Sequence, residues 1–122
     1  MTKPDHAWIA DWKVGENSER ERKISKELVE CFREFWVALD LDGKAKTTRN
    51  RYSNALHALG GYLVEKAISE DGLLMTTNEL LSEHIDSVGG PLIHHDEEAW
   101  QDEIDMVCRK LSKHLKAQGG RA

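Results

Sequence analysis

Large apolar residues recur at every third or fourth position in four separate stretches of this chain, a spacing that lays each set along one stripe of a 3.6-residue helix. The first stretch carries Ile24, Leu28, Cys31, Phe32, Phe35, Trp36 and Leu39, and the second Tyr52, Leu56, Leu59, Leu63 and Ala67. The third carries Leu80, Leu81, His84, Ile85 and Val88, and the fourth Trp100, Ile104, Val107, Cys108, Leu111 and Leu115. One-sided helices bury their stripes against one another. The spacing therefore predicts an all-α fold: a four-helix domain over 17–118, orthogonal or bundled, with a short N-terminal arm over 1–16. With 122 residues and 2 prolines there is room for one core and little material for turn-rich β structure.

The punctuation between stripes supports that division. Ser18-Glu19-Arg20-Glu21 reads as a capping box opening the first helix, and Asp40-Leu41-Asp42-Gly43 as its end, with Gly43 free to turn left-handed. Thr47 or Thr48 is the expected N-cap of the second helix. Gly60-Gly61 interrupts that helix, and close contact with a neighbouring helix is the expected compensation. Thr76 with Glu79 forms a second capping box, and Gly89-Gly90-Pro91 closes the third helix. The last helix is expected to be capped by Asp96, to run to about Ala117 and to stop at Gly119-Gly120.

Chemistry-bearing residues are present but poorly arranged for catalysis. Cys31 and Cys108 fall on helix stripes, where a buried thiol is unreactive, and their spacing lacks a C-x-x-C pattern. His57 and His84 have no evident third partner. The run His94-His95-Asp96-Glu97-Glu98 offers imidazoles and carboxylates, but adjacent histidines do not aim at one ion, and the acidic residues suit a helix start. No glycine pair stands in a phosphate-loop pattern. The expectation is a non-enzymatic protein with no cofactor and no metal.

Two features point towards partners. Trp8 and Trp12 stand in the arm, either docked on the body or presented as partner contacts or a dimer-exchanging element. Lys44, Lys46, Arg49 and Arg51 gather positive charge at the start of the second helix, where free backbone amides also welcome phosphate, so they are the candidate nucleic-acid contacts. The net charge of -5 argues against coating nucleic acid through bulk charge. No long apolar run or secretory h-region is visible, so a cytoplasmic location is expected. Trp8, Ile9, Val29, Val37 and Val64 lie outside the four stripes and favour self-association as a homodimer.

The series Thr48, Tyr52, Leu56, Leu59 and Leu63 resembles the second-helix signature of the core-binding domain of tyrosine recombinases and phage integrases. Phe32, Phe35 and Trp36 look like the aromatics of that family's preceding helix, Thr76 to Ile85 like its short third helix, and Asp102 to Leu115 like its last. The resemblance implies a four-helix DNA-clamping module. The chain departs from it in lacking the catalytic domain with its tyrosine nucleophile, and in an acidic start to the final helix. The blocks Leu59-Gly60-Gly61-Tyr62-Leu63 and Gly89-Gly90-Pro91-Leu92 also resemble small bacterial proteins that carry Leu-Gly-Gly and Gly-Gly-Pro-Leu motifs, a likeness that implies no function. The leading expectation is a helical interaction or regulatory module acting through the arm or an exposed helix face. A DNA-associated module stands second and a metal-binding helical protein third.

Overall fold

The computed structural model describes residues 3–118, and every regular element among them is helical. Five α-helices follow in order: α1 (Trp8–Asp11), α2 (Ser18–Ala38), α3 (Lys46–Ala67), α4 (Thr77–His84) and α5 (Glu98–Ala117), with a 3-10 turn at Leu41–Gly43. The expected stop at Gly119-Gly120 lies outside the described residues. No helix among the described residues is long and apolar enough to cross a membrane.

The third of these, α3, is the central element, because α2, α4 and α5 all pack on it. Its buried residues accordingly lie on more than one face: Tyr52, Ala55, Leu56, Leu59, Gly60, Leu63, Val64 and Ala67. Against it α2 sets Ile24, Leu28, Phe32, Phe35 and Trp36, and α5 sets Ile104, Val107, Cys108, Leu111 and Leu115. The shortest of the packed helices, α4, contributes Leu80 and Leu81.

Local chemistry departs from the sequence expectations at several helix ends. Asn17, rather than Ser18, is the N-cap of α2, its side chain accepting from the Arg20 amide. Glu21 is thereby left free to fold back over the preceding loop, where its carboxylate accepts the backbone N–H groups of Val14, Gly15, Glu16 and Asn17 at 2.7–3.0 Å. These bonds favour the charged form and hold the Glu21 carboxyl down at about 2, although the residue is only 2% exposed. After α2 the left-handed residue is Asp40, with φ 51°, and not Gly43. Ala45 precedes α3 without a side-chain cap, so Thr47 and Thr48 lie inside its first turn. The Thr76–Glu79 capping box forms as expected. The following helix stops at His84, since Ile85 is extended, and Val88 is therefore exposed rather than part of a stripe. Glu97, not Asp96, precedes α5 and makes no capping bond.

The arm belongs to the core. Trp8 and Trp12 pack edge to face, with ring centroids 5.8 Å apart, and Trp12 also meets Phe32 at 6.3 Å. Both indoles are buried against α2 and α3 of the same chain, which is the docked one of the two arrangements open for the arm. The expected close contact at Gly60-Gly61 is likewise with this arm and not with another helix. A Cβ on Gly60 would stand 2.1 Å from Cζ2 of Trp12. The indole Nε1 donates to the carbonyl of His57 at 2.9 Å, which satisfies its one polar atom. Of the apolar residues expected to need a second subunit, Trp8, Val29 and Val64 are buried, Ile9 is packed against the core, and only Val37 faces solvent.

Candidate functional site

The outer face of α3 ends at an open groove walled by the segment joining α4 to α5. Two recesses make it up, and they share Ala58. One, of about 350 Å³, lies between Asn54 and Ala55 of α3 and His94, Trp100, Glu103 and Ile104. The other, of about 500 Å³, continues along Gly61, Tyr62 and Glu65 towards Asp11, His57, Leu92 and His95.

The wall is held by α5 side chains whose polar character hid them from any apolar pattern. Gln101 accepts the backbone N–H groups of Ile93 and His94 on its amide oxygen at 2.9 and 3.0 Å, and its amide nitrogen donates to the Pro91 carbonyl and to Asp105. Asp105 in turn accepts the Gly90 amide at 3.1 Å. Gly90 is required there, because a Cβ would stand 2.4 Å from the Cys108 sulfur. The Gly-Gly-Pro-Leu block thus marks backbone pressed onto α5. Burial, reinforced by the Asp105 carboxylate, pushes the Cys108 thiol up to about 12 and keeps it protonated.

This arrangement leaves Trp100 outside the core, contrary to its expected place on the α5 stripe. It is 57% exposed, and its ring lies in a T-shaped arrangement with His94, at 5.3 Å between centroids. Leu92 is exposed on the same wall. Sequence reasoning missed this pairing, since Trp100 shares a helix face with Ile104 but sits in the first turn of α5, over the recess beside Asn54, Ala55 and Ala58.

Comparison with protein-family models, curated proteins and solved structures finds no match. The groove is consequently read from its own chemistry. His57 Nε2 lies 3.0 Å from the Asp11 carboxylate, an imidazole–carboxylate pair, with its ring against Trp8. No Ser, Thr or Cys lines either recess, and the hydroxyl in the His57 recess belongs to the phenol of Tyr62. Among those residues no group of three or more His, Cys, Asp or Glu side chains is placed to hold a metal ion. His94 and His95 fall on the groove wall, while Asp96, Glu97 and Glu98 are exposed at the start of α5.

The basic residues at the start of α3 do not form one free patch. Arg49 donates to the carbonyls of Asp42 and Lys44 at 3.3 Å, closing the turn before α3. Arg51 pairs with Glu103 of α5 at 3.5 Å. Lys44 and Lys46 remain exposed. Nearby, Asp42 accepts from the Trp36 indole at 2.9 Å and is held below the usual carboxylate range by that bond, with Lys3 and Arg49 adding to it.

Proposed function

We propose that this protein is a non-enzymatic interaction module of the cytoplasm that binds a protein partner through the α3–α5 groove. The observation that carries the reading is Trp100. It is a large exposed indole over a recess, backed by a rigidly clamped wall, whereas the other three tryptophans are buried. Tryptophan is over-represented among the few residues that dominate interface energies, and it binds best beside a pocket that a partner can fill. In this reading the four longer helices form a four-helix domain, the arm completes its core, and the groove is its working face. The experiment is affinity capture with wild-type protein against Trp100→Ala and Leu92→Ser. Partners enriched by the wild type should be lost from both variants at unchanged melting temperature; equal capture would overturn the reading.

A second reading, DNA association of the kind implied by the recombinase resemblance, draws on one observation. The first turn of α3 has no side-chain cap and no acidic residue, and Lys44 and Lys46 stand exposed beside it. Its test is duplex binding at low salt by Lys44→Ala/Lys46→Ala. This variant is preferable to changes at Arg49 or Arg51, which also serve the fold. Binding that survives the double change would end this reading.

A further inference from the structure

We infer that the groove's partner is a basic segment: a stretch of polypeptide carrying lysines or arginines around one or two large apolar side chains. The inference rests on the proposed interaction role and adds the chemical class of the occupant.

The apolar half of the argument is the exposed pair Trp100 and Leu92 with Ala58 between them on the groove floor. An occupant must supply apolar side chains to cover them, since burying an indole removes on the order of 150–250 Å² from water. The charged half is the rim. Asp11, Glu65 and Glu103 line the two recesses. Asp96 and Glu97, four and three positions before Trp100, are exposed immediately ahead of α5. Lys13 and Arg51 are the cations beside them, with the imidazoles of His57, His94 and His95 also on the lining; Arg51 is paired with Glu103 and His57 with Asp11. The balance is negative, so it attracts cationic side chains and repels a phosphate polyanion.

A second copy of this chain fits less well. Its most protruding apolar group, Leu74, sits with Leu73 beside Glu70 and Asp71, and would bring like charge to the rim. Its exposed Lys44 and Lys46 are separated by Ala45 and followed by Thr47, with no large apolar side chain among them to cover Trp100. The occupant that satisfies floor and rim together is a basic, apolar-bearing segment of another protein, in the manner of an amphipathic peptide laid in a groove.

Trp100 supplies the readout, because acrylamide reaches an exposed indole and spares Trp8, Trp12 and Trp36. The probes are synthetic peptides of about 15 residues, near the length at which short helices become stable. Each has leucines at helical spacing and polar positions filled with Lys, with Gln or with Glu. The Lys peptide should shield Trp100 from quenching and bind about tenfold tighter than the Gln peptide, a gap of about 1.4 kcal/mol that narrows as salt is raised. Glu65→Gln/Glu97→Gln should remove most of that preference, and Trp100→Ala should weaken binding of labelled Lys peptide about tenfold or more at unchanged melting temperature. Equal binding of the Lys and Gln peptides overturns the basic partner while leaving the groove reading intact. Stronger binding of the Glu peptide, or shielding of Trp100 by duplex DNA, overturns it in favour of an acidic occupant. If no peptide shields Trp100, the basic partner falls, and the groove reading is decided separately by capture with Trp100→Ala.

Discussion

Trp12 and Trp100 both lie against α3 and meet opposite fates, one 4% exposed and the other 57%. The difference lies in the receiving surface more than in the indoles. Beneath Trp12, Gly60 removes the Cβ that would collide with the ring, and the His57 carbonyl accepts the indole N–H. Beneath Trp100, Asn54, Ala55 and Ala58 line an open recess, and its aromatic neighbour is His94 in a T-shaped arrangement. A tryptophan is swallowed where its host offers both a slot and an acceptor, and otherwise stands free.

The largest effect expected from this contrast is on stability. Trp12→Ala should cost about 3–5 kcal/mol in denaturant unfolding, the usual range for deleting a buried aromatic. A loss under about 1 kcal/mol would show that the slot does not hold the indole. Gly60→Ala should follow, at about 1–3 kcal/mol, because the new methyl overpacks the slot. In a Trp12→Ala background the same change should turn neutral or stabilising, since only the helix-forming advantage of alanine over glycine remains. Additive losses in that cycle would separate Gly60 from the arm.

A smaller effect should appear only in acid. The Glu21 carboxyl titrates at about 2 in the folded protein against an ordinary value of 4.5, so between these limits the unfolded chain binds more protons. Stability contributed by this group is present above about 4.5 and is lost as pH falls towards about 2. Glu21→Gln should flatten that part of the stability profile and loosen the arm at neutral pH, seen as a red shift in tryptophan emission. An unchanged acid slope would remove Glu21 from the account. The smallest effect is expected at the free indole: Trp100→Ala should change stability by no more than about 0.5 kcal/mol, as surface substitutions usually do.

Much of the fold was legible because it depends on local period. The α2 stripe, the inner residues of α5 and the Thr76–Glu79 box follow from spacings within a few turns of helix. What escaped depends on distant partners. Ser18 looked like a cap until Asn17 took the position and the Glu21 carboxylate was claimed by four loop amides. Gly60-Gly61 was readable as a place of close approach, but its visitor, Trp12, comes from 48 or more residues away. The groove was the least legible part. Its wall depends on Gln101 and Asp105, polar residues with no apolar signature, and its indole keeps the register of Ile104 but lies in the first turn of α5, over a recess instead of the core. The basic cluster was visible as composition, while the use of Arg49 and Arg51 within the fold was not.

One side chain of α2 reaches across to the far end of α3. Arg20 donates from Nε to the Ala67 carbonyl at 2.6 Å, and from one terminal nitrogen to both the Gly72 and Met75 carbonyls, at 2.7 and 2.8 Å. Two backbone carbonyls bound to the same nitrogen lie close together, and between them Leu73 and Leu74 bulge into solvent, Leu74 at 97% exposure. The corner is therefore a socket with its rim pinned and its two leucines turned to solvent. Foreign sequence spliced between Leu73 and Leu74 would start and finish at points already brought together, where each doubling of loop length adds only about 0.6 kcal/mol. That makes this bend the natural place to graft a tag, a reporter or a second domain while the rest of the molecule folds as before.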